Sequence, residues 1–310
     1  QPGLTCELPG YYTFALDKPV TVTAGSDFYI RIYYQTPTYD YPIPIEEAFT
    51  GYSNPAIETD KAWIGYDSHG ESNYWFAIGG NTGYAWDPCV KAYAEPLLSW
   101  TGTQSTDWNT AANWNPETVP SPKQNIDIPA TTNPPLISNA ISSPATCKAL
   151  TIREGASVTL AADAALTVHG DLTNYAGAAG LFTENGASLI TLGAVNGQAT
   201  MKQNISGSQW HLISPPVSGA LAGTFYQQYL QQHNEATNAY TYITDINEVL
   251  NPVQGYAFWG VGSAYAARYT GYPNTGAQQM PLSRTAEGNN NGWNLVGNPY
   301  PSSIDWDATQ

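Results

Sequence analysis

An all-β chain of tandem modules, β-sandwich or β-solenoid-like with at most one short helix, is predicted by three observations. Charged residues make up only 11% of the 310 residues, where helical bundles need Lys and Glu in quantity. Gly (28), Pro (23) and Tyr (22) are abundant instead, the residues of turns and half-buried strands. Short runs alternating apolar with polar residues recur along the whole chain, separated by polar corners. At this length two or three domains of ordinary size are expected. Composition shifts place them at 1–95, 98–198 and 199–310.

In the first module, Tyr11–Leu16, Val20–Thr23 and Phe28–Tyr34 alternate as strands, with Asp17-Lys18-Pro19 and Ala24-Gly25-Ser26-Asp27 as turns. Trp63–Ala94 reads as two hairpin segments around Asp-Ser-His-Gly-Glu-Ser-Asn, closed by a strand through Cys89–Tyr93. Pro37, Pro42 and Pro44 confine residues 36–52 to an extended loop or an edge strand. Two readings stand for the aromatics crowded there. They pin the loop to the core, or Tyr39 and Tyr41 form a binding face with Asp40, Glu46 and Glu47 as polar partners. Tyr66, Trp75 and Trp86 complete the candidate stacking surfaces.

These segments, with Asp-Lys-Pro-Val, Ala-Gly-Ser-Asp-Phe, Tyr-Pro-Ile-Pro-Ile-Glu and Cys-Val-Lys-Ala-Tyr as markers, resemble the lectin-like β-sandwich domain appended to secreted peptidases. The resemblance implies a sandwich that holds a polysaccharide or glycoprotein. It also implies further strands ahead of Gly10, so the module is expected to be truncated at its start, with a bare edge open to strand addition from a neighbouring copy. A peptidase domain lying upstream is a third expectation.

The second module opens with Trp100, Trp108 and Trp114, spaced eight and six apart. They read either as a sugar platform or as a cap over a rung stack, and the need of a solenoid for a closed terminus favours the cap. CKALTI, ASVTL, ALTVHGDL and ASLITL follow as short strands. Glu154-Gly155-Ala156-Ser157-Val158 recurs 31 residues later as Asn185–Leu189, a periodicity that suggests stacked rungs. In the third module, Trp210–Pro216 is echoed by Trp293–Pro299, two strands that end at Pro. Val253–Gly260 is a buried strand by composition, and Leu221–Gln232 is the one helix candidate, with Leu221, Phe225 and Tyr229 at i, i+4 spacing. The Trp-Thr-Gly opening and the WHLISPPV/GWNLVGNPYP pair resemble modules of type IX secretion cargo and surface adhesins. That resemblance implies an exported, extracellular or cell-surface protein, expected to be truncated before its sorting domain.

Charge and motifs limit the function. Against 25 acidic residues stand 10 basic ones, a net charge of −15, which excludes nucleic acid as a natural partner. No apolar run reaches the roughly 18 residues of a membrane span. An acidic, Asn-rich surface can hold Ca²⁺ through oxygen ligands, which leaves calcium open as a cofactor. Cys6 and Cys89 share a module and are the disulfide candidates, while Cys147 reads as a buried hydrophobe. No GxSxG elbow, HExxH pair or zinc spacing occurs, so no active site is expected within the chain.

Overall fold

The computed structural model describes residues 5, 12–14, 16, 20, 22, 26–35, 43–54, 57–65, 75–79, 84, 86–92, 97–285 and 292–305. The chain is all-β and divides into two compact units, 1–94 and 95–310.

Among the described residues of the first unit, strands β1 (Ile45–Glu47), β2 (Ala62–Gly65), β3 (Trp75–Ile78) and β4 (Trp86–Pro88) form two antiparallel pairs, β1–β4 and β2–β3. The expected hairpin is therefore present as β2–β3, with its turn outside the described residues. The Pro-rich stretch does end in an edge strand, β1. The closing strand lies earlier than expected: Trp86–Pro88 pairs with β1, whereas Cys89–Ala92 carries no strand. Nor is a strand assigned to Phe28–Tyr34.

The second unit begins as a triangular solenoid of about three turns. β5 (Leu97–Trp100) and β6 (Trp114–Asn115) start its first face. Three rungs follow: β7 (Asn125–Ile128), β8 (Leu136–Ile137) and β9 (Ala145–Cys147); β10 (Ala149–Ile152), β11 (Val158–Leu160) and β12 (Ala165–Val168); β13 (Leu172–Asn174), β14 (Leu181–Thr183) and β15 (Ser188–Thr191). β16 (Val195–Asn196) and β17 (Ala199–Ser206) begin a fourth. Like strands of successive rungs pair in parallel. The burial pattern alternates buried and half-buried along nearly every strand, so one side chain in two points into the stack. Register piles them in columns, Ile126 on Leu150 on Leu172 along one face and Leu166 on Leu189 along another.

The rung length corrects the expected 31-residue period. Leu150 stacks on Leu172 and Leu172 on Val195, steps of 22 and 23 residues. The Gly-Ala-Ser echo instead marks two different corners, one entering β11 and the other entering β15. Both need a glycine in the left-handed region, Gly155 at φ +74 and Gly186 at φ +77. At Gly186 a Cβ would also stand 2.1 Å from Asp163 Oδ1. A corner at Lys148, made without a positive φ, splits the expected CKALTI strand into β9 and β10. Cys147 and Leu150 both point inward although they are three residues apart, which a single strand forbids.

The loop between β5 and β6 closes the first rung. Trp100, Trp108 and Trp114 are buried to 1% exposure or less and meet edge-to-face at 4.9 and 4.7 Å. They are a cap, and no ring faces solvent as a platform would require. Asn113, fully buried, ties the loop to itself.

Beyond β17 the solenoid passes into antiparallel sheet without a domain break. β18 (Trp210–Ile213), β19 (Val217–Ser218), β20 (Tyr229–Asn234), β21 (Ala239–Tyr242), β22 (Tyr256–Trp259) and β23 (Ala264–Pro273) complete the unit. β17 pairs in parallel with β14 and, along its full length, antiparallel with β23. One hydrophobic core runs from Leu98 to Tyr269, so residues 98–198 and 199–310 share a single unit where two modules were expected. The expected helix is absent. Ala222–Phe225 makes one 3₁₀ turn, Gly223 and Thr224 being poor helix formers, and Tyr229 already belongs to a strand. Val253–Gly260 contains the expected buried strand, β22. Of the two Trp-to-Pro echoes only the first is a strand. The second runs beside residues 253–255 through Gly255 N–H to Leu295 O and Gly297 N–H to Val253 O, and Ser214 Oγ donates to Asn298 O, so the echoed segments do meet.

Glu235, in the β20–β21 turn, fastens a distant segment. Its carboxylate accepts from Thr285 N–H at 2.7 Å, Gly292 N–H at 2.6 Å and the hydroxyls of Thr285 and Ser283. These donors, the Thr285 and Gly292 amides foremost, pull its pKa from 4.5 to about 2. A depressed folded pKa means the contribution is complete above the ordinary carboxylate range and is lost as pH falls from about 4.5 towards 2. Glu235→Gln is accordingly expected to flatten the fall of Tm across that acid window, read by melting curves at successive pH values.

Candidate functional site

Among the described residues of unit 1–94, aromatic rings stand on both faces of the β2–β3 hairpin. Antiparallel register places Trp63 opposite Ala77 and Gly65 opposite Trp75, so Trp63 and Trp75 share one face. Tyr29 lies against Trp63 at 5.9 Å between ring centroids, and the Arg31 guanidinium stands 5.5 Å over Trp75. Tyr29 is 78% exposed, Trp75 48% and Trp63 37%. The other face carries Ile78, which is fully buried, and a chain of rings from Phe76 through Tyr84 to Trp86 at 5.7 and 4.8 Å. Phe76 and Tyr84 are themselves 41% and 47% exposed, so rings meet solvent on both faces, and only Ile78 anchors the second one.

The expected site residues are therefore divided. Trp75 lies on the Trp63 face of the hairpin, and Trp86 belongs to the ring chain that starts from Phe76 on the other. Glu47 pairs across from Trp86 in β1–β4 and shares its side, while the neighbouring Glu46 faces Asp87. Tyr39, Asp40, Tyr41 and Tyr66 lie outside the described residues. Missing from the sequence reading are Tyr29, Arg31 and Trp63. The alternation of Phe28–Tyr34 contains the signal, since Tyr29 and Arg31 are two apart and share a side, but nothing local shows that this side meets Trp63 and Trp75.

Such a face has a definite chemistry. Indole and phenol rings offer flat apolar surface with a negative π face, and a guanidinium adds fixed hydrogen-bond donors. It suits a ligand that is apolar on its flat side and hydroxylated at its edge.

The thiols differ as sharply. Cys147 is fully buried, and burial pushes its pKa up to about 12, so it stays a protonated thiol. Cys89 carries a free, exposed thiol; its expected partner Cys6 lies outside the described residues. A maleimide applied to the native, unreduced protein near neutral pH is expected to modify Cys89 and leave Cys147 untouched until the chain is denatured. Peptide mass mapping reads the result.

Among the described residues no three His, Cys, Asp or Glu side chains gather as metal ligands, and no helix is long and apolar enough to cross a membrane. Of the histidines, His211 Nε2 lies 3.1 Å from Ser206 Oγ and 2.8 Å from its carbonyl, and His233 packs on Tyr240.

Residues 99–309, more than half of the chain, match the family described as a domain of unknown function, DUF8693. The chain belongs to the DUF8693 family. Its unit 95–310 is thus the DUF8693 domain, and the division of the chain after Ala94 agrees with the match. Residues 3–94 match the lectin-like domain, as their markers implied, and a lectin-like domain fits a carbohydrate-binding or adhesive role. No curated protein and no solved structure matches the chain.

Proposed function

We propose that this chain is a non-catalytic accessory portion of an exported polypeptide, and that its lectin-like unit holds a polysaccharide or glycoprotein on the Trp63–Trp75 face of the β2–β3 hairpin. The observation that carries this reading is the exposed Trp63–Trp75 pair flanked by Tyr29 and Arg31, within residues that match a lectin-like domain. Each sugar ring would lie on an indole with its C–H side against the π face, and its hydroxyls would accept from Arg31. The extracellular or cell-surface location, and export by a type IX route, follow from the resemblance of the later segments and are part of the same proposal. So is calcium as an ion held by oxygen ligands.

Trp75→Ala tests it. Because Trp75 is half-exposed, its loss is expected to shift Tm by no more than about 2–4 °C, the range of surface substitutions within ±0.5 kcal/mol for a unit of this size. Retention on immobilised glycans is expected to fall about tenfold, the effect of roughly 1.4 kcal/mol of lost stacking. Unchanged retention would remove this face from the site.

A further inference from the structure

The sheet β18–β22–β20–β21 has two unlike faces. Inside, Phe258, Leu230, Ile213 and Tyr256 are buried, and Phe225 wedges between Phe258 and Tyr269 at 5.0 and 5.7 Å. That packing fixes which residues turn outward. Register places Trp210 opposite Trp259 and Trp259 opposite Tyr229, three rings in one line across three strands. Tyr242 stands on the same side, opposite Gln231. Ring centroids are 5.6 Å apart for Trp210–Trp259 and 6.1 Å for Tyr229–Tyr242. Trp210, Tyr229 and Tyr242 are 50%, 51% and 58% exposed. The four rings line a groove of about 250 Å³, and Tyr229 and Tyr242 also wall a neighbouring cleft of about 390 Å³ that reaches Gln228, Thr244 and Asp245.

We infer that this row is a second carbohydrate-binding surface, on the DUF8693 unit, which takes a neutral polysaccharide strand. Three features select that occupant. The line is aromatic and its bordering side chains, Gln231, His233, Gln228 and Thr244, are hydrogen-bonding groups suited to hydroxyl edges. Among the described residues no Lys or Arg lines the groove or the cleft, Asp245 adds negative charge, and the chain carries −15, so an anionic polymer is repelled. The exposed ring area is small: four half-covered aromatics offer roughly 400 Å², about half of the ~800 Å² each partner gives to a stable protein interface. A single file of stacked sugars needs no more than that. The inference stands on this geometry and not on the lectin-like unit.

Co-sedimentation of the full chain with insoluble cellulose, chitin, β-1,3-glucan and mannan tests it, with each substitution also made in the Trp75→Ala background. Trp210→Ala combined with Tyr242→Ala is expected to cut the remaining retention on one of these polymers about tenfold or more, as two lost stacking surfaces would. Trp210→Phe, which keeps an aromatic ring, is expected to restore most of it. Melting curves of the variants should coincide with the parent within about 2 °C, because the replaced rings are exposed. Retention abolished by Trp75→Ala alone would overturn the inference while leaving the lectin-like site standing. Retention unchanged by the double variant, or its loss accompanied by dissociation of a dimer in sedimentation, would overturn it too, the latter in favour of a contact between copies. Retention that survives Trp75→Ala undiminished and vanishes in the double variant would support this surface and refute the first.

Discussion

Trp108→Ala is expected to destabilise the DUF8693 unit by about 3–5 kcal/mol, the cost of emptying a buried aromatic site. Trp108 is fully buried, its ring meets Trp114 edge-on, and its backbone carbonyl receives the Trp114 indole N–H at 2.9 Å. The cap loop is also bound to the first rung on both sides, by Trp108 N–H to Leu136 O and Leu136 N–H to Thr106 O. Truncating the ring opens a cavity at the end of the rung stack, where no further rung can close over it. For a unit of this size the loss corresponds to a Tm decrease of roughly 6–20 °C. Glycan retention at temperatures below the new Tm should not change, because the ring reaches no surface. A shift under 2 °C would show that the cap does not support the solenoid.

The second large effect is at Asn113. Its Oδ1 accepts from Gln104 and Ser105 N–H, both at 2.9 Å, and its Nδ2 donates to Ser105 Oγ at 3.0 Å and Asp107 O at 2.9 Å. One fully buried amide thus satisfies both ends of the cap loop. Asn113→Ala leaves two backbone donors and a carbonyl without partners in a part-buried loop, at about 1–3 kcal/mol for each group that water does not reach. A total loss near 2–5 kcal/mol is expected on that basis, read as a fall in the denaturant midpoint at constant slope. Asn113→Asp should not rescue it. The acceptor survives, but an oxygen would then face the Asp107 carbonyl. Recovery to parental stability in the Asp variant would assign the work to the acceptor alone.

Much of this architecture is legible in the residues. Ile126–Ile128, Leu150–Ile152 and Val158–Leu160 each place inward residues two apart, and the intervening Thr and Asp side chains point out, as alternation predicts. The three tryptophans of the cap announce a closed end because a rung stack requires one. What alternation does not carry is the corner. Cys147 to Leu150 reads as one strand until burial on both shows the chain turning at Lys148, and the Gly155 and Gly186 corners imitate a period longer than the true rung. The helix expected at Leu221–Gln232 fails for a related reason. Phe225 is buried while Leu221 and Tyr229 are exposed, so the i, i+4 pattern arises from a 3₁₀ turn joined to a strand.

The candidate sites were less legible. Trp75 and Trp86 are near in sequence, and only the ring contacts from Trp86 through Tyr84 to Phe76 show that they belong to different faces. Trp210, Tyr229 and Trp259 are scattered over 50 residues, and cross-strand register alone brings them into line. A side chain's partner across a sheet is a long-range fact, and local pattern contains no trace of it.

The most direct test of the central claim is a glycan array probed with the intact chain, parent and Trp75→Ala side by side. The proposal predicts retention on a defined set of glycans, weakened by the substitution, with no release of shortened sugar from the spots. Absence of retention on every glycan would contradict it, and so would release of product.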